Sequence, residues 1–423
     1  MPAMNIRKLL LGILALGLIA RVTVMILLQT WIFPSERIYA FEEGEIAYAL
    51  ANGQGFSWPQ TWRPVGPDGA LIKPDHPVPT AWRAPVSPAI LAVAFWIFGS
   101  YSIKAAMAFE LFQVLLSLLS CYVLFRLGST LFNEWTGLIA ALMLALYPAS
   151  IHFSVQKIEY GTLLTFMGLL IVQQTIAVSR RPSLAGNLLL GALAGVAALV
   201  NPVILAFFPF AVLWLLWTSR SDWGTSLKAA IAIGGCCAAV MAPWLIRNYL
   251  VFDRFVFIKS NFGRELVQSN FRTDGNAFIA ANPETITGND GQKSALYNQQ
   301  ALSLIIAKPK QLLSQMGIKF QRFWTYVSFT QGRTMLIAAT AYYSVLCLGL
   351  VGVWVAWRTS QARLAMIYLL TMPIPFYLTY ARLGRFRFPI EPVLILFASY
   401  AVTSVLARLY QRKRGLDGRL AAF

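Results

Sequence analysis

PVSPAILAVAFWIF, residues Pro85 to Phe98, is apolar enough to enter a membrane and too short to cross one. The apolar run proper, Ala89 to Phe98, follows two prolines, whereas a spanning helix needs roughly 20 apolar residues. Whether this run crosses sets the side on which everything after residue 100 lies. If it does not cross, Arg7, Lys8, Arg126, Arg180, Arg181, Arg220, Lys228, Arg358, Arg363 and the tail RLYQRKRGLDGR all fall on one face, as the positive-inside rule requires. If it crosses, that pattern scrambles. The run is therefore read as lying at the interface or dipping in without crossing.

Composition agrees with a chain built for lipid. Of 423 residues, 57% are hydrophobic and 12% charged, where soluble domains carry about 25% charge. Segments of spanning length occur near 8–32, 104–127, 134–152, 159–179, 183–200, 202–218, 226–246, 334–357, 362–380 and 389–409. The expected fold is an all-α polytopic membrane protein of about ten transmembrane helices with both termini cytoplasmic. Its parts are a first transmembrane helix (1–33), read as a retained signal anchor, and an extracytoplasmic loop with interfacial helices (34–103). Helices two to seven (104–246), an outer cap with an interfacial helix (247–333), helices eight to ten (334–409) and a basic cytoplasmic tail (410–423) follow. The excess of 35 Lys and Arg over 17 Asp and Glu sits beside apolar segments, where it orients the chain and meets anionic lipid. Nucleic acid is not needed to explain it. All four cysteines, Cys121, Cys236, Cys237 and Cys347, fall inside apolar runs, so neither a disulfide framework nor a zinc site follows.

Two charge features depart from this background. The first outer loop opens with FEEGEIAYALANGQGF, which places Glu42, Glu43 and Glu45 at the start of an amphipathic helix running from Glu42 to Asn52. A helix start collects Glu on dipole grounds alone. The second feature is TYARLGRFRFPIEP, a short outer loop that carries Arg382, Arg385 and Arg387 where basic residues are scarce. Arginine near hydrocarbon needs a partner, and its planar fork grips phosphate oxygens in pairs. An anionic ligand, lipid headgroups or an ion pair with Glu391 would each supply that partner. Glu159, just after Lys157, opens the fourth span as a substrate contact or a helix-end charge. Glu110 is an intramembrane acid, read either as a functional candidate or as the partner of a basic residue such as Arg21.

The loops support chemistry at the outer face. Between Ser57 and Pro88 the chain is rich in Pro and Trp, and Trp58, Trp62 and Trp82 suit either interfacial anchoring or a sugar face. From residue 247 to about 333, aromatic and polar residues alternate with turn signals, as in a small soluble cap. Pro309 to Tyr326 has basic and apolar faces and predicts a helix lying in the interface. His76 and His152 have no ligands at metal spacing. Nucleotide-binding glycine loops, serine elbows and internal repeats are lacking, which counts against nucleotide-driven transport, serine hydrolysis and repeat-built transporters.

The order of EEGEIAYALANGQGF, PTAWRAPVSPAILAVAFWIFGSYS, ALYPASIHFSVQKIEYG, APWLIRNYLVFDRFVFIKSNFG and RFRFPIEP resembles the GT-C type membrane glycosyltransferases. The likeness is strongest to family 39, with its protein O-mannosyltransferases and lipid A aminoarabinose transferases. The resemblance implies transfer of a sugar from a polyprenyl-monophosphate carrier to an acceptor at the outer face of a bacterial cytoplasmic membrane, with an acid of the first outer loop as general base. That acid would be Glu42, with Glu43 next. Arg385, Arg387, Arg382 and Arg247 would hold the donor phosphate, and Glu159, Arg83, Trp82 and Lys157 would contact substrate. No cofactor is expected, and a divalent metal at Glu42, Glu43 and Glu45 is the less favoured reading of that cluster. The acceptor, whether protein, lipid or polysaccharide, is left open. The rival readings are a polysaccharide polymerase or ligase using a polyprenyl-diphosphate glycan, and a lipid or solute transporter.

Overall fold

The computed structural model describes residues 5–32, 41–59, 76–155, 159–218, 223–271, 288–327, 333–379 and 384–420. Within them, six helices are long and apolar enough to cross a membrane: Ile6–Leu28, Ile103–Leu131, Gly161–Arg180, Trp223–Phe252, Thr334–Ala356 and Phe388–Leu409. A seventh crossing results if Glu134–Leu146 and Pro148–Val155 count as one span. These two meet at 53°, since Pro148 lacks the amide that would continue the helix. The protein is an all-α polytopic membrane protein. The other three expected segments form shorter pieces. They are Leu184–Val200, a Pro202–Ala206 3-10 turn leading into Phe208–Thr218, and Ser360–Thr371 followed after Pro373 by Ile374–Leu378.

The deciding stretch forms the helix Val86–Phe98, whose 13 residues reach only about 20 Å at 1.5 Å each, short of a hydrocarbon core of about 30 Å. One face carries Leu91, Ala92, Ala94 and Phe95 against Ala47, Ala105, Ala106 and Phe109. Val93, Trp96 and Ile97 point outward. The helix Phe41–Ala51 lies on it, one residue out of step with the expected Glu42–Asn52. A two-residue antiparallel pairing, Ser57–Trp58 with Val78–Pro79, closes the described part of the loop back on itself.

The cap appears as Phe262–Asn270 and Asp290–Ala307, which share a small core of Leu266, Val267, Phe271, Tyr297 and Ala301. The second of these helices starts on a capping box in which Asn289 and Gln292 satisfy each other's amides. A helix runs Pro309–Thr325, over the stretch where one is expected. In the bundle, Arg333–Ala356 and Glu391–Leu420 pack so closely that Gly352 has no room for a Cβ against the Phe397 carbonyl.

Arg21 corrects one expectation. Its guanidinium, fully buried in the first span, donates to the Gly17 carbonyl at 2.9 Å, the Ala145 carbonyl at 2.8 Å and the Ser150 hydroxyl at 2.8 Å. Its Nη2 also donates to the Ser117 hydroxyl at 2.8 Å. Glu110 lies further along and accepts from the Thr30 hydroxyl at 2.9 Å instead. Neutral acceptors from its own helix and three others thus take the place of a carboxylate, because Arg21 sits level with Ser117 rather than with Glu110. Thr30 and Glu110 mark one end of the bundle, whereas Arg180, which donates to the Thr130 carbonyl at 2.9 Å, marks the other.

Candidate active site

At the Thr30 and Glu110 end, separate loops and helix ends enclose a cavity of about 750 Å³. Glu42 enters from the first turn of Phe41–Ala51, and Trp82 and Arg83 from the loop before Val86. Tyr160 comes from the start of Gly161–Arg180, Lys259 from the loop after Phe252, and Arg385 from the turn Gly384–Phe386. These residues lie far apart in the chain.

The two leading acids separate here. Glu42 lines the cavity, where its Oε1 accepts from the Trp82 indole N–H at 2.7 Å and its Oε2 is bonded to the Arg83 guanidinium. Two donors fix the direction of the carboxylate, yet an ionised carboxylate accepts about four hydrogen bonds, so capacity remains for a substrate hydroxyl. Glu43 is buried and off the cavity, with its Oε1 3.7 Å from Arg83. Burial pushes its carboxyl up while Arg83 opposes that shift. Glu45 takes a third direction, toward the Tyr101 hydroxyl. Among the described residues, no group of three His, Cys, Asp or Glu side chains is placed to hold a metal ion.

The arginines separate in the same way. Arg385 lines the cavity and donates to Glu159 Oε1 at 2.7 Å. Its Nε is buried with no hydrogen-bond partner, and so is the Nε of Arg83. An unpartnered buried donor of a cation is costly, and an anion in the cavity would relieve it. Glu159 thus holds Arg385 from outside the cavity lining. Arg387, expected to bind the same phosphate, turns into the protein. Its Nε donates to Glu391 at 2.7 Å, its Nη1 to the Phe323 carbonyl at 2.6 Å and the Tyr326 carbonyl at 3.0 Å, and its guanidinium lies 3.5 Å over the Tyr342 ring. The ion pair with Glu391, one of the readings left open by the sequence, is the one formed.

Arg247 also serves the scaffold. It donates to the Thr80 carbonyl at 2.8 Å and the Phe56 carbonyl at 2.7 Å, and packs against the rings of Phe56, Trp244 and Phe252. Trp82 lines the cavity beneath the Arg264 guanidinium. Arg382, Lys157 and Trp62 lie outside the described residues.

Two residues matter that sequence reading passed over. Lys259 lines the cavity, and its ammonium is pushed down to about 8 by burial and by the neighbouring Arg83 charge, against the pull of Glu265, Glu43 and Glu42. In sequence it is one lysine in an aromatic loop, with no signal beyond its position after a predicted span. Asp290 is the other. Its Oδ2 accepts from the Thr80 hydroxyl at 2.7 Å, the Ala81 amide at 2.8 Å and the Ser260 hydroxyl at 3.0 Å. One carboxylate oxygen thereby joins the cap to the two loops that present Trp82 with Arg83, and Lys259. Asp290→Ala should cost about 2–3 kcal/mol, the worth of charge-assisted bonds whose donors are left behind, and lower Tm in detergent. An unchanged Tm would show that this junction holds without it.

Residues 75–246, which include Trp82, Arg83, Glu159 and Tyr160, match the family model of dolichyl-phosphate-mannose-protein mannosyltransferases. No curated protein matches by sequence. The fold is similar to archaeal oligosaccharyltransferase AglB from Archaeoglobus fulgidus in complex with an inhibitory peptide and a dolichol-phosphate. The TM-score is 0.59 at 15% identity, over 97% of this chain and 52% of that one. The apo oligosaccharyltransferase from the same organism gives 0.59 at 16% identity over 97% and 52%. ArnT from Cupriavidus metallidurans bound to undecaprenyl phosphate gives 0.39 at 15% over 90% and 77%. The chain spans about half the length of the oligosaccharyltransferases that it matches. By its helical architecture and the match across residues 75–246, the chain has the fold of the GT-C type membrane glycosyltransferases.

Proposed function

We propose that this chain transfers a sugar from a polyprenyl-monophosphate carrier to a hydroxyl acceptor, in the cavity that holds Glu42, Lys259 and Arg385. The observation that carries the reading is one cavity lined by an oriented carboxylate and by three cations, Arg83, Lys259 and Arg385, of which both guanidiniums keep a buried Nε without a partner. Glu42 takes the proton of the acceptor hydroxyl as its oxygen bonds to the anomeric carbon. The bond from that carbon to the phosphate oxygen breaks, and its electron pair leaves on the phosphate. Lys259 and Arg385 stabilise the charge that develops there, while Glu159 holds Arg385 in place. Trp82 both orients Glu42 and offers a ring face to the sugar. The family match across residues 75–246 supports the donor class, as does the dolichol-phosphate held by the similar oligosaccharyltransferase.

The cavity faces outward in this reading, because the opposite end of the bundle carries Arg126, Arg180, Arg181, Arg358 and Arg363. The site then opens to the exterior of a bacterial cytoplasmic membrane. Transfer from a purified polyprenyl-monophosphate sugar, assayed in detergent with candidate hydroxyl acceptors, is the direct test. Transfer only from a polyprenyl-diphosphate glycan would replace this reading with that of a polymerase or ligase.

Donor binding should depend on pH through Lys259. A sugar phosphodiester keeps its charge across the neutral range, whereas Lys259 loses its proton as pH rises through about 8. Affinity is therefore expected to be full below that pH and to weaken above it. Lys259→Met should lower affinity roughly tenfold or more at pH 7 and abolish the dependence, since a hydrogen bond to a charged group is worth about 1.5–3 kcal/mol. Lys259→Arg stays charged throughout and should keep affinity at high pH. A wild-type affinity that is flat from pH 7 to 9 would remove Lys259 from the phosphate site.

A further inference from the structure

At the other end of the bundle lies a second cavity, of about 550 Å³, between Gly161–Arg180, Leu184–Val200, Phe208–Thr218 and Trp223–Phe252. Its mouth is polar, with Arg180 and Gln361, and its deeper wall is apolar, with Val178, Val212, Leu215 and Ile233. Two polar atoms on that wall stand out. Asn187 Oδ1 and Trp214 Nε1 are both buried and lack a hydrogen-bond partner. Their residues are 7% and 3% exposed. Buried polar groups are nearly always satisfied, so an acceptor and a donor left open in one cavity mark a place for a ligand that offers both. Arg180 supplies the charge. Its contacts to the Thr130 carbonyl and to Gln361 both use Nη2, and a guanidinium has five donors.

We infer that this cavity binds an anionic phospholipid with a hydroxylated headgroup, from the leaflet opposite the transfer site. The phosphate meets Arg180 at the mouth, and headgroup or glycerol oxygens reach Asn187 and Trp214. The hydrocarbon follows Val212, Leu215 and Ile233 outward. Two features favour a lipid over a soluble metabolite. The walls below the mouth are apolar, and Leu213 and Trp217 on the same helix are exposed beside it. Anionic lipid is favoured over zwitterionic because the exposed side chains at this end include Arg126, Arg181, Lys228 and Arg358.

The test is lipid retention by the full-length protein, purified and stripped in detergent, then offered phosphatidylglycerol or phosphatidylcholine and read by native mass spectrometry. Phosphatidylglycerol should be retained with roughly tenfold preference, and Arg180→Gln should lower its retention by a similar factor, the worth of one charge-assisted hydrogen bond. Asn187→Leu should lower it by filling the cavity, and Trp214→Phe by removing the indole N–H together with part of the ring. The last change keeps an aromatic ring in the wall, so it stays readable if the others impair folding. Lys259→Met combined with Arg385→Ala, at the opposite end, should leave it unchanged. Equal retention of the two lipids, or retention indifferent to Arg180→Gln and Trp214→Phe, overturns the inference. So does a loss confined to the Lys259 and Arg385 variant, which would place the lipid in the other cavity.

Discussion

Replacing Glu42 by Gln is expected to lower turnover by about 100-fold to 10,000-fold, the usual contribution of general base catalysis, while donor binding changes little. Gln keeps the length of the side chain and an oxygen that can still accept from the Trp82 indole, now 2.7 Å from Glu42 Oε1. What it loses is the capacity to take a proton. Its amide N–H2 group would also face the Arg83 guanidinium, donor against donor, so part of the loss could come from a displaced Arg83. Glu42→Asp separates the two effects: it keeps the charge opposite Arg83 but withdraws the carboxylate by one methylene. Single-turnover transfer from a polyprenyl-monophosphate sugar, with donor binding measured alongside, gives both quantities. Glu43→Gln supplies the comparison. Glu43 lies behind Arg83 and off the cavity, so its substitution should act through the placement of Arg83 and spare most of the turnover. Near-normal turnover in Glu42→Gln with collapse in Glu43→Gln would reverse the assignment. Normal turnover in both would reduce the acids to a helix start that holds Arg83.

Arg387→Met is expected to destabilise the protein by about 3–5 kcal/mol, because it leaves the Glu391 carboxylate buried without its cation. Methionine fills much of the same length, so the cost is electrostatic more than steric. The carbonyls of Phe323 and Tyr326 lose their donor as well, which loosens the end of Pro309–Thr325 against the last span. Arg387→Met combined with Glu391→Leu should recover most of the lost stability, since replacing both members of a buried pair by apolar residues is often close to neutral. Thermal unfolding in detergent ranks the three proteins. A single variant that keeps its Tm but loses donor binding would show that Arg387 faces the ligand after all. Arg385→Ala is the opposite case. Its side chain is partly exposed and lines the cavity, so its loss should weaken donor binding far more than it lowers Tm.

The amino-acid sequence by itself determined the membrane class, the long spans, the short helix after Pro85, the helix after Pro309 and the loops that carry the charged residues. These are consequences of apolar run length, proline and charge distribution, all local along the chain. Tertiary structure decided which member of each charged group faces the cavity. Glu42 and Glu43 are adjacent, but a helix turns about 100° per residue, so one points into the cavity and the other beneath Arg83. Arg385 and Arg387 are two residues apart on successive 3-10 turns, which send one to the cavity and the other to Glu391. Lys259 and Asp290 gain their roles only when the segment of Asp290–Ala307 folds back over the loop of Thr80 and Ala81, a contact between residues some 200 positions apart. Periodicity reports the face of a single helix and carries no information about which distant loop will meet it. That meeting is set by how the helices pack, and so the cavity, its oriented carboxylate and its three cations are properties of the assembled bundle.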